Sequence, residues 1–190
     1  VNAGGGLSLS VPNGSNLLEI LQGNASLRKE ITQIFEIYGL RLALDTADSS
    51  IKFFKELSDG AAVIIPYHQV ADTLRRLIFF KTAIQTNHDS ILLFEEPEAH
   101  MFPPYISKFT ADVMYNKSQN QYFITTHSPF VLNDFMEDVD KEDLSVYAVG
   151  YKKETGETII RRITEDEMEE IYQYGVDLFF NLENYLKDAV

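Results

Sequence analysis

The apolar positions change period several times along this chain, and each change marks a predicted element. Within residues 16–38, Leu27, Ile31, Ile34, Phe35 and Tyr38 recur at helical spacing, and Gly39 follows as a C-terminal stop. Short β-prone runs come next, LRLALD at 40–45 and AAVIIP at 61–66, separated by a polar, turn-rich stretch. Residues 69–86 return to the helical period, with Val70, Leu74, Leu77, Ile78 and Ile84 on one side. ILLF at 91–94 shows no alternation, which predicts a strand covered on both faces. A helix over 104–117 and a second buried strand, YFITT at 122–126, follow it. Strand, helix and strand at this spacing predict a right-handed parallel crossover. A further helix starts after Ser128, its predicted N-cap, with Pro129 in the first turn. LSVYAVGYKKETGETIIRRI predicts a β-hairpin around Thr155–Gly156, and residues 165–187 an acidic helical close.

Composition narrows this picture without redrawing it. With 190 residues, 45% hydrophobic and 24% charged, the chain can bury one core, or one core and an appendage. It has no run apolar enough to span a bilayer and no basic leader, so no membrane partner is expected. The absence of cysteine excludes disulfides and thiolate metal sites and fits a cytoplasmic protein. A net charge of -13 argues against a nucleic-acid footprint over the whole surface, although a local basic strip remains compatible with it. The opening VNAGGG reads as a processed, truncated or engineered start. Residues 1–6 are therefore expected to be linker, attached to something larger.

The chemistry concentrates in ILLFEEPEAHMFP, residues 91–103, where acids crowd the end of an apolar strand. In open α/β sheets, ligands sit beyond the carboxyl ends of parallel strands. Glu95 and Glu96 end the first strand, and Thr126 and His127 end the second. Neighbouring strands would thus bring two carboxylates and an imidazole to one rim. Blander readings compete. An acidic cluster after a strand is usually a solvated loop, and His127 alone reads as a helix-start histidine. Glu96, His100 and His127 suggest zinc only weakly, because no HExxH spacing occurs. Asp138 and Asp140 imitate a nuclease D-x-D but lack the second acidic motif. Phe79–Phe80 and Phe179–Phe180 read as core, and Arg161–Arg162 as a solvated hairpin edge.

Taken together, LLFEEPEAHMFP and FITTHSP (123–129) resemble the ABC-type ATPase heads. The likeness is to the branch of RecF-like and SMC-like chromosome proteins and overcoming-lysogenization-defect ATPases. It implies an α/β, P-loop NTPase-like C-terminal lobe over residues 7–190, a mostly parallel sheet flanked by helices, with a hairpin near the C-terminus. It implies ATP and Mg²⁺ as cofactors. Glu95 takes the metal-ligand place, Glu96 that of the catalytic base and His127 that of the switch histidine. EAHMFP (98–103) takes the place of the D-loop, putting Ala99 and His100 beside nucleotide. Glu95 departs from the commoner aspartate, and its longer arm would shift the metal slightly.

The resemblance also implies a signature loop one helix ahead of the acids. ELSDG (56–60) fails that spacing, because AAVIIP intervenes, whereas VADTLRRL (70–77) meets it, with Asp72 and Thr73 facing a partner's ATP. Ala71 and Thr73 stand where the family often has glycines. No G-x-x-x-x-G-K-[ST] occurs, and NAGGGLSLS lacks the lysine. The expected partners are therefore an N-terminal Walker A lobe, on this or another chain, and a second copy joined through ATP, with DNA as a possible further partner. The expected function is ATP hydrolysis at that dimer interface, driving a DNA-repair, DNA-processing or antiphage assembly. The chain alone is expected to be inactive. The alternative is a non-catalytic dimerisation module that keeps the fold.

Overall fold

Asn24 breaks the first helical stretch in two. A computed structural model describes residues 7–153 and 155–186, so the linker reading of residues 1–6 lies outside it, as does Lys187 at the end of the acidic segment. Helix α1 spans Leu17–Gly23 and α2 spans Ala25–Glu36. Between them Asn24 adopts an extended backbone, and its side chain accepts from the Leu27 amide as the N-cap of α2. Gly39 ends α2 as expected. At φ +65° it takes the left-handed conformation, donating to the Glu36 carbonyl while Leu40 reaches back to Phe35.

The polar stretch expected between two β-runs is itself a strand. β1 (Arg41–Asp45), β2 (Ser50–Glu56) and β3 (Ala62–Pro66) form an antiparallel sheet in the order β1-β2-β3. In β2, Ile51 and Phe53 point inward and their lysine and phenylalanine neighbours are less buried, a period-2 pattern. LSDG forms the plain turn between β2 and β3, with Gly60 at φ +84°. Phe53 is fully buried and stacks on Phe35 of α2, ring centres 4.0 Å apart. Helix α3 (Asp72–Thr86) follows a single 3₁₀ turn and buries Leu74, Leu77, Ile78 and Ile84. Glu30 of α2 accepts from Lys81 and Gln85 of α3 and ties the two helices. These elements, with the described residues to Leu93 and Tyr115–Phe123, make the first of two units.

Strand β4 (Ile91–Glu95) pairs with β5 (Gln121–Thr125). Bonds from Gln121 N–H to Ser90 O and from Glu96 N–H to Thr125 O advance together along both strands, so the pair is parallel. Parallel pairing is confined to this pair among the described residues. The α/β class is as expected, with less parallel sheet than expected. Nor is β4 covered on both faces: Ile91 and Leu93 are 62% and 75% exposed and Phe123 of β5 is 54% exposed. Two strands leave an apolar ribbon open on one side.

The second unit comprises Phe94–Met114 and the described residues from Ile124 onward. Helices α4 (Pro103–Met114) and α5 (Pro129–Asp138) pack together, pinned where the Thr110 hydroxyl donates to Asp134 at 2.6 Å. Phe94 meets Phe109 of α4 edge to face. The hairpin β6 (Tyr147–Lys152) and β7 (Glu157–Arg162) turns at Gly156, φ +74°. Helix α6 (Glu165–Tyr174) begins with a capping box between Thr164 and Glu167. Arg161 also pairs with Glu167 through two bonds, and that guanidinium holds the Glu167 carboxyl below the usual range. Arg161 is thus engaged rather than solvated, while Arg162 is exposed. Ala148, Ile163, Met168, Ile171 and Leu178 form a small core that α7 (Leu182–Leu186) borders through Leu182 and Leu186. Phe180, expected in a core, is 91% exposed. No helix among the described residues is long and apolar enough to cross a membrane.

Candidate functional site

Two loops meet at the carboxyl ends of β4 and β5. The first, 96–101, leaves β4 through Glu96 at φ +40° and passes His100 at φ +62°, two left-handed residues that turn the chain sharply. Its shape is held by its own backbone: Ala99 N–H donates to Glu96 O and Met101 N–H to Glu98 O. Pro97 is buried under it. The second loop carries Thr126, His127 and Ser128 into α5. Ser128 sits at the N-cap position and is buried, but its side chain makes no capping bond.

The sequence predicts that Glu96 and His127 share a rim, and the structure brings them together. His127 Nε2 lies 3.3 Å from Glu96 Oε1, with the histidine side chain 81% and the glutamate 49% exposed. Both groups face solvent, so a bound molecule can reach each. Glu95 ends β4 and is exposed beside them. Ala99 is half-buried and His100 exposed in the same loop.

Glu98 was missed as a site residue. Its Oε1 accepts from the Thr126 hydroxyl and from the His127 backbone N–H, both at 2.8 Å. The Thr126 oxygen in turn accepts from Ser128 N–H at 3.0 Å. The only hint in the sequence is a third glutamate in EEPE, with no local sign of a partner.

Asp72 and Thr73 belong to the first unit, at the start of α3. Ala71 precedes the helix and supplies no side-chain cap, and Asp72 Oδ1 accepts from Arg75 at 2.9 Å. The Tyr67 hydroxyl, 3.4 Å from the Arg75 carbonyl, is pushed up to about 12 by burial. Arg76 lies 5.3 Å from the centre of the Phe80 ring.

No cluster of three or more histidine, aspartate or glutamate side chains suited to a metal occurs among the described residues. Glu95 and Glu96, both exposed, are the carboxylates at this rim; one or two carboxylates completed by waters and phosphate oxygens are the donors Mg²⁺ takes, and they are too few for a zinc cage.

Residues 15–133 match the model of a family described as "AAA domain, putative AbiEii toxin, Type IV TA system". The chain belongs to this AAA-domain family. Among curated proteins it is similar to protein ea59 of Escherichia phage lambda, 23% identical over 156 residues, 74% of this chain and 28% of ea59. The chain thus spans under a third of that relative's length. Among solved structures it is similar to an SMC ATPase studied for ATP-driven dimerization and DNA-stimulated activation (TM-score 0.53, 12% identity, 83% of this chain and 96% of that one). It is also similar to the Smc head domain of Pyrococcus yayanosii (TM-score 0.53, 12% identity, 82% and 30%). The Smc head of Pyrococcus furiosus bound to the C-terminal domain of ScpA matches with TM-score 0.52 and 11% identity, over 82% and 39%. At these identities the likeness establishes the fold: this AAA-family chain has the α/β fold of an SMC-type ATPase head.

Proposed function

We propose that this chain is the C-terminal part of an ABC-type ATPase that hydrolyses ATP with Mg²⁺ at a dimer interface, once a P-loop-bearing lobe completes it. The observation that carries this reading is the 3.3 Å approach of Glu96 and His127 at the carboxyl ends of two parallel strands. In this proposal Glu96 is a fixed acceptor that orients a water and takes its proton. His127 donates to the terminal phosphate from the neighbouring strand. Glu95 holds Mg²⁺, directly or through water; when bound, that ion supplies charge neutralisation at the phosphate oxygens.

No P-loop lysine occurs in the 190 residues, so the β- and γ-phosphates are gripped elsewhere. The open apolar side of β4 and β5 agrees with this, since parallel strands are usually covered on both faces and a joined lobe supplies the cover. Asp72 and Thr73, at the start of α3, face the nucleotide of a second copy, where the positive end of a helix suits phosphate. Ala99 and His100 approach nucleotide from the first loop. Coupling to a DNA-acting or antiphage assembly rests on likeness alone.

A second reading, a dimerisation module without hydrolysis, draws support from the start of α3. Ala71 and Thr73 replace flexible glycines there, and Asp72 is already paired with Arg75.

Two proteins separate the readings: this chain joined to its P-loop lobe, and the same joined protein with Glu96→Gln. ATP turnover in the first, with its loss and accumulation of ATP-bound dimers in the second, is the expected result. Turnover by Glu96→Gln at the unaltered rate removes Glu96 as the base, and no turnover by the joined protein favours the second reading.

A further inference from the structure

We propose that Glu98 is the positioning residue for His127; this rests on the ATPase reading above. A histidine that must meet a phosphate within hydrogen-bond distance needs its backbone fixed, yet the His127 ring is 81% exposed and little packing holds it. The fixing comes from below. Glu98 Oε1 takes the His127 N–H and the Thr126 hydroxyl at 2.8 Å each, and that hydroxyl takes Ser128 N–H at 3.0 Å. One carboxylate oxygen therefore holds the backbone on both sides of His127 without touching the imidazole.

The other end of the strut is equally set. Glu98 stands two residues after Glu96 in a loop tied by Ala99 N–H to Glu96 O, while Glu96 N–H is bonded to Thr125 O. The groups assigned as base and switch are thus referenced to each other twice, through the ladder of β4 and β5 and through the Glu98 carboxylate. Its second oxygen, Oε2, is buried without a hydrogen-bond partner among the described residues. The bonds at Oε1 therefore set where the Glu98 carboxyl sits.

The arrangement specifies what a replacement must keep. Gln retains the acceptor at Oε1 and its reach, Asp retains charge but falls one methylene short, and Ala retains neither. In the lobe-completed protein, Glu98→Ala is expected to lower kcat about 10- to 100-fold, the scale of a misplacement near 1 Å. KM for ATP should stay within about threefold, because the phosphate grip lies elsewhere. Gln should recover most of the rate, and Asp little. Hydrogen–deuterium exchange of the peptide holding the His127 amide, measured on the same proteins by mass spectrometry, should quicken in Ala and Asp and return in Gln. Should Glu98→Ala fold poorly, Thr126→Val removes the Thr126 bond to Glu98 and the Ser128 N–H bond to Thr126, keeps His127 N–H on Glu98, and is expected to show the same pattern, weaker. Unchanged kcat in Glu98→Ala, or a Gln variant as slow as Ala, overturns the proposal. So does a loss confined to KM. Failure of the ATPase reading looks different: the unaltered joined protein shows no turnover, or Glu96→Gln keeps it.

Discussion

Replacing Thr110 by valine tests whether the second unit is pinned as described. Thr110 lies wholly buried on α4, and its hydroxyl makes its shortest bond, 2.6 Å, to the carboxylate of half-buried Asp134 on α5. Valine keeps the shape and χ1 preference of threonine and deletes only that donor. A hydrogen bond to a charged acceptor contributes about 1.5–3 kcal/mol. The methyl that replaces the hydroxyl returns about 0.8 kcal/mol by burial. The difference, about 1–2 kcal/mol of destabilisation, corresponds to a fall in Tm of about 2–8 °C for a chain of this size. The chain has no tryptophan, so urea titration followed by far-UV circular dichroism is the assay. A double-mutant cycle with Asp134→Ala adds the decisive term. With the carboxylate gone, Thr110→Val should cost at least about 1 kcal/mol less than it does alone. A Thr110→Val chain within about 0.5 kcal/mol of the parent refutes the pin, because ordinary surface changes fall in that range.

Other expectations follow from single features. Gly39→Ala should cost about 1 kcal/mol, since an alanine at φ +65° pays left-handed strain while the nearest neighbour among the described residues is Lys55, at 3.9 Å; a stabilised variant in the same urea assay contradicts this. Asp45 accepts from Lys52 at 2.7 Å, and that bond, with the Asp48 amide, holds its carboxyl at about 2 rather than 3.8. Its contribution to stability is therefore fully present above pH 3.8 and is lost as pH falls toward 2. Accordingly, Asp45→Asn should be less stable than the parent at neutral pH, and the two melting curves should converge in strong acid. A gap that persists at the acid end assigns the effect to something other than this ionisation.

The elements most legible in the sequence are those whose signals are local. The 3.6-residue period of α3, the turn glycine at 156 and the strand–helix–strand order around α4 each follow from residues within a few positions of one another. Asn24 and β2 were less legible. Asn24 sits inside an otherwise continuous apolar period, and its role as a cap depends on an extended backbone that the letters do not announce. In SIKFFKE the alternation is short and four of its seven positions are charged or hydroxylated, so it reads as polar until Phe53 is seen stacked on Phe35. Phe180 shows the converse, a large apolar side chain left 91% exposed.

For the candidate site, the sequence alone determined which chemical groups are available: three glutamates closing one apolar strand and a histidine closing the next. It determined the spacing that lets a crossover return the second strand beside the first. Only the tertiary structure decided how those groups divide their work. The register of β4 against β5 sets Glu96 toward the imidazole and sends Glu98 to the backbone beneath it, 29 positions along the chain from its His127 partner. Glutamates in one short loop are chemically identical as letters. What distinguishes them is which donor lies within reach, and that is a property of strands brought together across the fold rather than of neighbours in sequence.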